Sequence, residues 1–567
     1  MGQRLSPPDD PPHDDKPSGA RSSRLAAAAC VALIILGGLA LRLWHNGWGI
    51  PRYFHMDERT KVKRVLKPMF DNGSLDPGYF RHPAFLLYST GATAWTVSRL
   101  TGRAVEEPLL LRSGRTVVGV TGGVTLVLAF LLGQALGGTW CGILAAFFLA
   151  VAPLHVLCSH YMKEDVPLAM WVTLQVLFCV RYVRQGRRAD LFLAALCSGL
   201  AAATKYIGVG TLAFIALAAA IRWRTQRQAA ARGRQQATRA GVRLLREAAL
   251  CGLIALVVFV ALNPFMLVSG DRARSDMAFE VTQAWEGQPQ VELRVGPWRQ
   301  VWTYHLRESL APGMGLGILA VSLAGLCLAL WRREGPGLLV ALAVLAAYIL
   351  HEGSPLKYNK YMMPLLPMLA ALAGYFLASL AQAARMRFRN SSLAIPVIVL
   401  VALAASACPL WRSIRNVRAM IPDTRALAGT WLNAHCPPGT RIFVDGHDTF
   451  GPTVDPPLEC RWAVRFTDTA RDRVRLDLAT QSCDFGDEKP LYRPHYLVTT
   501  SLWYRRSLDN PSAPEEERRY YAEEIPRLLG QPLKVFRAPG GSYGMHNPDI
   551  EVYRLPLNPL PAGGPGG

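Results

Sequence analysis

Apolar stretches long enough to cross a membrane recur along most of the chain, separated by polar connections. A helix needs about 20 mainly apolar residues to span the hydrocarbon core of a bilayer. The pattern predicts eleven such helices, at residues 25–44, 112–133, 140–157, 166–184, 189–204, 207–221, 249–267, 312–331, 336–351, 361–383 and 393–411. The expected fold class is therefore a polytopic α-helical membrane protein.

The polar ends of the chain differ from each other. Residues 1–23 are rich in Pro, Asp and Ser and are predicted to be a disordered cytoplasmic tail. The transmembrane domain is expected over 24–411, and a soluble α/β domain over 412–567. Strand-like runs in the latter lie at 441–444, 496–499, 533–536 and 551–553, and helix-like stretches at 423–435 and 514–529.

Two segments between the first and second spans are predicted to lie at the membrane surface. In residues 57–72, apolar side chains recur at helical spacing and Lys and Arg fill the other faces, which is typical of an amphipathic helix in the membrane plane. Residues 83–99 are apolar enough to be half-buried. Counting that segment as a span would reverse the orientation of everything after it, so residues 57–99 are predicted to form outer-face helices.

The distribution of positive charge predicts how the protein is oriented in the membrane. The formal net charge is +21, and Arg residues cluster in loops on one side of the predicted bundle. Cytoplasmic loops carry the excess of Lys and Arg, so the N-terminus is predicted inside and residues 412–567 outside. A basic chain also suits nucleic acid, but no nucleic-acid-binding motif is present, and no nucleic-acid partner is expected.

Two acidic pairs, Asp57-Glu58 and Glu164-Asp165, stand at predicted span ends on the outer side. Carboxylates are costly near hydrocarbon, so their presence favours a functional interpretation. Asp57 is the candidate general base, with Glu58 and Asp165 as further catalytic candidates and Glu164 as a binding candidate. The competing interpretation is that Asp57 and Asp165 are only helix caps.

Three outer-side lysines, Lys205, Lys357 and Lys360, oppose the positive-inside tendency. They are therefore predicted to bind an anionic partner such as a lipid phosphate. Tyr361 follows directly and joins the substrate-binding candidates.

His82 and His160 each stand beside an apolar run. A lone histidine there is usually a hydrogen-bonded structural residue, but each could bind a sugar hydroxyl or, with a carboxylate, a metal ion. His55, Asp57, His160 and Asp165 have no spacing that predicts a metal site. No cofactor is predicted, and a divalent cation stays open.

Cys436, Cys460 and Cys483 lie in the polar C-terminal part. An oxidising compartment would allow one disulfide and one free thiol among them. The sequence does not select the pair.

Together these residues resemble the C-type (GT-C) integral-membrane glycosyltransferases, and in particular glycosyltransferase family 39, which includes protein O-mannosyltransferases and the lipid A aminoarabinose transferase. The resemblance covers residues 25–411, and a weaker similarity is present at 423–439. The motifs are Asp57-Glu58, Arg81-His82-Pro83, Ser159-His160-Tyr161 with Asp165-Val166-Pro167, Thr204-Lys205-Tyr206, Asn263-Pro264, and Lys360-Tyr361 through Pro367. Met56 replaces the family's usual Pro, and Lys360 stands where the family often has Arg.

The resemblance implies transfer of a sugar from a polyprenyl-phosphate donor to a hydroxyl on a protein, lipid or glycan acceptor. The reaction would be an inverting displacement with Asp57 as base, metal-independent or weakly metal-dependent, at the periplasmic face of a bacterial inner membrane. It also implies a role in protein glycosylation or the cell envelope.

Two other classes remain open at this stage. A polytopic transporter or lipid flippase would carry ionisable groups near the bilayer midplane, whereas these carboxylates lie at span ends. A non-catalytic membrane subunit with a partner-binding soluble domain would need the acidic pairs only as caps.

Overall fold

The computed structural model describes residues 18–229, 234–286, 302–387, 394–462, 476–484, 491–509, 513–539 and 541–559. The predicted disordered tail at 1–23 lies largely outside these ranges. Within them the chain forms a large helical bundle followed by a smaller unit that contains a β-sheet.

Helices occur at all eleven positions predicted from the apolar pattern. The longer helices of the bundle are Ser18–Leu43, Glu107–Gly137, Thr139–Val151, Asp165–Gln185, Arg188–Thr204, Leu212–Ala229, Arg234–Leu262, Leu316–Arg332, Gly335–Gly353, Leu365–Arg387 and Ala394–Arg418. Shorter helical segments are Pro153–Cys158, Tyr206–Thr211, Phe265–Val268, Gly270–Glu286, His305–Leu310, Ala311–Met314 and Asn359–Met362.

Seven helices among the described residues are both long and apolar enough to cross a membrane, and a bent pair at His305–Met314 and Leu316–Arg332 raises the number to eight. The helix Thr139–Val151 is apolar but short, with 13 residues. The chain is an integral membrane protein, as predicted, but the count of eleven spans is not confirmed.

The segment predicted as an amphipathic surface helix is helical, over Met56–Arg59, Thr60–Leu66 and Lys67–Asp71. Its apolar stripe, however, is covered by protein. Val62 and Leu66 are at most 1% exposed and belong to the main hydrophobic core. Helices Phe85–Thr101 and Glu107–Gly137 pack against this segment. The apolar face that the sequence predicted to contact lipid therefore packs against the helical bundle.

The C-terminal unit contains a five-stranded sheet. Its strands are β1 (Arg441–Asp445), β2 (Glu459–Trp462), β3 (Tyr496–Thr500), β4 (Lys534–Phe536) and β5 (Ile550–Arg554), in the order β2-β1-β3-β5-β4. β1 is parallel to β2 and β3, and β5 is antiparallel to β3 and β4. Helices Thr424–His435, Ser501–Leu508, Glu515–Arg519, Tyr520–Glu524 and Ile525–Leu529 accompany the sheet, with a short turn at Asp448–Phe450. The α/β prediction is confirmed, and β2 is the strand that the sequence pattern missed.

Candidate active site

Four connecting segments meet at one end of the helical bundle. The first segment follows the first helix, and the second precedes the helix Asp165–Gln185. The third follows Thr204, and the fourth precedes the helix Leu365–Arg387. The contacts that join them are Lys163 with Asp57, Lys61 with Glu164, and Lys205 with both Asp165 and Tyr361. Both acidic pairs and several predicted cations thus belong to one cluster.

Asp57 is the carboxylate of the two acidic pairs that remains open to an incoming group. Its side chain is 34% exposed, while Glu58, Glu164 and Asp165 are each nearly fully buried. Asp57 is not the cap of its helix, because His55 occupies the N-cap position and its Nδ1 accepts a hydrogen bond from the Asp57 amide at 3.3 Å. Asp57 lies in the first turn of this helix and not at its N-cap position, so the assignment of Asp57 as the N-cap is wrong.

Asp57 is held in its charged form. Burial opposes ionisation, but the positive charges of Lys163, Lys360 and Lys61 outweigh it, so the pKa of Asp57 lies well below its usual value. Lys163 donates a hydrogen bond to Oδ2 of Asp57. Burial lowers the pKa of Lys163, yet Asp57, Glu164 and Asp165 raise it well above its usual value. The two groups therefore form an ion pair at neutral pH.

Glu58 anchors its segment rather than facing the opening. Its carboxylate is 0% exposed and accepts two hydrogen bonds from Arg115, at 2.9 and 2.7 Å. The amide of Met162 donates a third, at 2.9 Å. These partners place Glu58 out of reach of a substrate in this structure, which argues against the predicted catalytic contact.

Glu164 is buried opposite Lys61, with 2.5 Å between Oε1 and Nζ. Burial alone would raise the pKa of Glu164, but Lys61 and Lys163 lower it below its usual range. Lys61 also donates to the carbonyl of Met162 at 3.1 Å. Lys61, one turn after Asp57, also lowers the pKa of Asp57, but its direct ion-pair partner is Glu164.

Asp165 is the first residue of the helix Asp165–Gln185, and Glu164 occupies the N-cap position. The carboxylate of Asp165 is 2.7 Å from Nζ of Lys205. Lys205 also lies 4.6 Å from the ring centroid of Tyr361. The predicted residues Asp165, Lys205 and Tyr361 therefore form one group beside Asp57.

Lys360 is the predicted lysine that keeps its charge available. No ion pair of Lys360 is found among the described residues, and its Nζ lies 4.7 Å from the ring centroid of Tyr358. Burial and the charge of Lys163 lower the pKa of Lys360 to about 8, although the negative charges of Asp165 and Asp57 act to raise it. An ammonium held among other cations in this way favours an anionic ligand.

Of the remaining predicted residues, His82 lies at the cluster, whereas Lys357 and His160 do not. His82 is half-buried, and its electrostatic neighbours include Glu164, Lys163, Lys61 and Asp57, so it lies at the cluster. Burial lowers the pKa of His82 to about 3, so its ring is neutral.

Lys357 and His160 have partners elsewhere in the protein. Lys357 is 4% exposed and directs its Nζ to the backbone of Glu352 and, at 3.9 Å, to the carboxylate of the same residue. Both ring nitrogens of His160 lie 2.9 Å from backbone carbonyls, those of Val156 and Trp44. Both residues are suited to holding loops, and neither is placed to meet a donor.

The residues do not assemble a metal site. Among the parts of the chain that the structure describes, no group of three or more His, Cys, Asp and Glu side chains could hold a metal ion. Of the four ligands considered from the sequence, His160 already faces two carbonyls, and Nδ1 of His55 is 3.9 Å from Asp57. Cys436, Cys460 and Cys483 are all unpaired here.

Lys163 is the main functional residue that the sequence interpretation left unassigned. It stands immediately before the pair Glu164-Asp165, in a segment already placed on the outer side. The argument from topology that selected Lys205 and Lys360 applies equally to Lys163. What the sequence does not show is that Lys163 reaches the carboxylate of the other loop.

The chain is similar in sequence to a known protein family and in fold to known structures. The sequence profile of the family described as dolichyl-phosphate-mannose-protein mannosyltransferase matches residues 111–269. The archaeal oligosaccharyltransferase AglB from Archaeoglobus fulgidus, solved with an inhibitory peptide and a dolichol-phosphate, has a similar fold. The TM-score is 0.54 at 12% identity, over 94% of this chain and 74% of that chain.

A second similar structure is ArnT from Cupriavidus metallidurans bound to undecaprenyl phosphate. Its TM-score is 0.47 at 15% identity, over 94% of this chain and 98% of that chain. No curated protein matches the chain by sequence. The predicted GT-C-like fold and the resemblance to the mannosyltransferase family are confirmed. The prediction of a glycosyltransferase is confirmed at the level of this family match and this fold.

Proposed function

We propose that the protein transfers a sugar from a polyprenyl-phosphate carrier to an acceptor hydroxyl, with Asp57 as the general base. The observation that carries this proposal is the position of Asp57. It is a partly exposed, ionised carboxylate within a cluster of lysines, at the end of the bundle where four connecting segments meet. A base must hold its charge and reach the proton that it removes.

The proposed reaction is a single displacement. The acceptor oxygen attacks the anomeric carbon and forms the new glycosidic bond, while the bond from that carbon to the phosphate oxygen breaks. The acceptor proton passes to Asp57, and the carrier leaves as polyprenyl phosphate with the bonding electron pair. Lys163 pairs with Oδ2 of Asp57, and Nδ1 of His55 is also nearest to Oδ2, which leaves Oδ1 as the oxygen for the acceptor hydroxyl. Attack from the side opposite the leaving group inverts the anomeric centre.

The leaving phosphate gains negative charge in the transition state, so fixed positive charge there accelerates the reaction. Lys360 is the candidate for this contact because it has no carboxylate partner among the described residues. Lys205 is a second candidate, although Asp165 already neutralises part of its charge. Lys357 is a weaker candidate, because its ammonium is buried against Glu352.

The nature of the donor is supported by the comparisons. The archaeal structure was solved with a dolichol-phosphate and the Cupriavidus structure with undecaprenyl phosphate. For this chain we propose a carrier lipid of the same chemical class, with its lipid in the bilayer and its head group at the cluster. The reaction is proposed to occur on the periplasmic side of a bacterial inner membrane, with a protein, lipid or glycan acceptor, and to be metal-independent or weakly metal-dependent.

The alternative functions fit the structure less well. A transporter or flippase would be expected to gather ionisable groups near the midplane of its spans. Here Asp57, Lys163 and Lys360 all lie in connections between the long helices. A non-catalytic subunit would have no use for an open carboxylate paired with a buried lysine.

The proposal is tested by reconstituting the protein in nanodiscs with a radiolabelled polyprenyl-phosphate sugar. Release of polyprenyl phosphate together with transfer of label to an envelope extract is the expected result for the wild type and not for Asp57→Asn. Movement of label across a vesicle membrane without cleavage of the sugar–phosphate bond would favour the flippase and contradict the proposal.

A further inference from the structure

The C-terminal unit is tied to the segment that carries Asp57 through a fully buried arginine. Arg425 is 0% exposed, and all five N–H donors of its guanidinium have acceptors. Two go to the carboxylate of Asp423, at 2.8 Å each. The other three go to the carbonyls of Thr449 at 2.8 Å, Met545 at 2.7 Å and Phe54 at 2.9 Å.

The contact with Phe54 crosses from the C-terminal unit to the first outer loop. The guanidinium carbon of Arg425 lies 4.1 Å from the ring centroid of Phe54, so the ring and the carbonyl are both held. Trp48, in the same loop, is 0% exposed and donates its indole N–H to Asp423 at 3.2 Å. The next residue after Phe54 is His55, whose side chain caps the helix Met56–Arg59, which carries Asp57.

The C-terminal unit also holds the second outer loop. The amide of Met545 donates to the hydroxyl of Tyr161 at 3.1 Å. The ring of His546 stacks on that of Tyr161 with 5.2 Å between centroids. Tyr161 stands two residues before Lys163, and its ring lies 5.0 Å from that of His55.

We propose that Arg425 is a positioning residue, which makes the C-terminal unit part of the active site by holding both loops at the separation that the Asp57–Lys163 pair requires. The proposal rests on the proposed function. The C-terminal unit contacts both Phe54, just before Asp57, and Tyr161, just before Lys163. Direct contacts of Glu58 and Lys61 with Met162 also join the two loops after Asp57. Arg425 fixes the first loop on the other side of Asp57, at Phe54. Small displacements of a reacting group are costly, since about 1 Å can reduce a rate about 10²-fold.

The test compares Arg425→Lys with a matched control, Arg461→Lys. Lysine keeps the buried charge, but its single ammonium cannot reach Asp423, Thr449 and Phe54 together. Arg461 lies on β2 with its guanidinium 4.7 Å from the ring centroid of Tyr492. A second variant, Tyr161→Phe, removes the other contact while keeping the ring. For each variant we would measure donor turnover in nanodiscs, the pH profile of kcat, and hydrogen exchange of the amides of residues 54–60.

For Arg425→Lys we expect kcat to fall about 10–10²-fold, with the KM for the donor changing less than about twofold, as for a group that acts on geometry rather than on donor binding. The acid limb of the kcat profile should move to higher pH, because a loosened Lys163 lowers the pKa of Asp57 less. Exchange at residues 54–60 should accelerate, and Tyr161→Phe should show the same changes in milder form. Arg461→Lys should match the wild type in all three measurements.

A drop in turnover that only follows the amount of folded protein, with an unchanged pH profile and unchanged exchange at residues 54–60, would overturn the proposal. So would wild-type kinetics in both Arg425→Lys and Tyr161→Phe. If the wild type itself releases no polyprenyl phosphate, the proposed function fails. The exchange measurement would then still decide whether Arg425 holds the loop.

Discussion

Lys163 donates a hydrogen bond to Asp57 across more than a hundred residues of sequence. The lysine belongs to the loop that precedes the helix Asp165–Gln185, and the aspartate to the loop that follows the first helix. The pair holds Asp57 in its ionised form and joins the two loops at the candidate site. A carboxylate that is both charged and partly exposed is suited to accept a proton from a hydroxyl.

The first prediction concerns Asp57. Asp57→Asn should reduce sugar transfer by about 10²-fold or more, because the amide cannot take the acceptor proton. Asp71→Asn, an exposed carboxylate on the same helical segment that pairs with Lys67, is the control and should retain activity. Transfer rates in nanodiscs at equal protein amounts provide the measurement. Asp57→Asn activity within about threefold of the wild type would exclude a general base at this position.

The second prediction concerns the carrier phosphate. Lys360→Ala should slow donor turnover more than Lys205→Ala, and Lys357→Ala should act mainly on stability because Lys357 is buried against Glu352. Lys360→Arg should preserve function, since arginine keeps the charge and adds donors. Lys534→Ala, an exposed lysine on β4, serves as the control. Equal turnover in the alanine variants of Lys360 and Lys205 and the wild type would place the phosphate elsewhere.

The third prediction is a pH dependence. The pKa of Lys360 is lowered to about 8, so its ammonium is charged below that pH and neutral above it. The kcat/KM for the donor should therefore decline as pH rises through about 8 in the wild type. In Lys360→Arg the decline should move to higher pH, because arginine does not titrate there. An identical alkaline limb in both proteins would assign that limb to another group.

The fourth prediction concerns the buried pair of Glu58 and Arg115. Glu58→Gln leaves the arginine charge buried without its counter-ion, which typically costs about 3–5 kcal/mol. We expect a lower melting temperature and yield in detergent, measured by size-exclusion chromatography after heating. Glu106→Gln, at an exposed carboxylate, should change stability by less than about 0.5 kcal/mol. A catalytic role for Glu58 would instead appear as lost turnover in a protein of wild-type stability.

The fifth prediction is the orientation in the membrane. The excess of Arg on one side of the predicted bundle places residue 420 and the C-terminal unit outside. A single cysteine introduced at an exposed position such as Arg505 should react with an impermeant reagent in intact cells, against a background with the native cysteines replaced. The matched cysteine at Arg333, in a predicted inside loop, should not react until the membrane is opened. Protection of the first and labelling of the second would reverse the orientation and contradict the proposed periplasmic site.

Local sequence was sufficient for most of the secondary structure. Apolar runs located the long helices because a spanning helix must satisfy its backbone internally and present apolar side chains to lipid. Short strand-like runs located four of the five strands. They missed β2, Glu459–Trp462, whose mixed charged and aromatic residues show no alternation. The helix starting at Met56 was predicted, but its burial under neighbouring helices was not, because an apolar stripe fits lipid and protein equally well.

What the sequence by itself determined is the membrane fold, its resemblance to the C-type glycosyltransferases, and the loops that form the candidate site. What only the tertiary structure decided is which charge meets which. Lys61, one turn after Asp57, pairs with Glu164, whereas Lys163, adjacent to Glu164, pairs with Asp57. Arg425, which no local pattern singled out, holds the loop before Asp57. Ion pairing depends on the distance and direction of side chains in space, and these are fixed only when distant segments pack together.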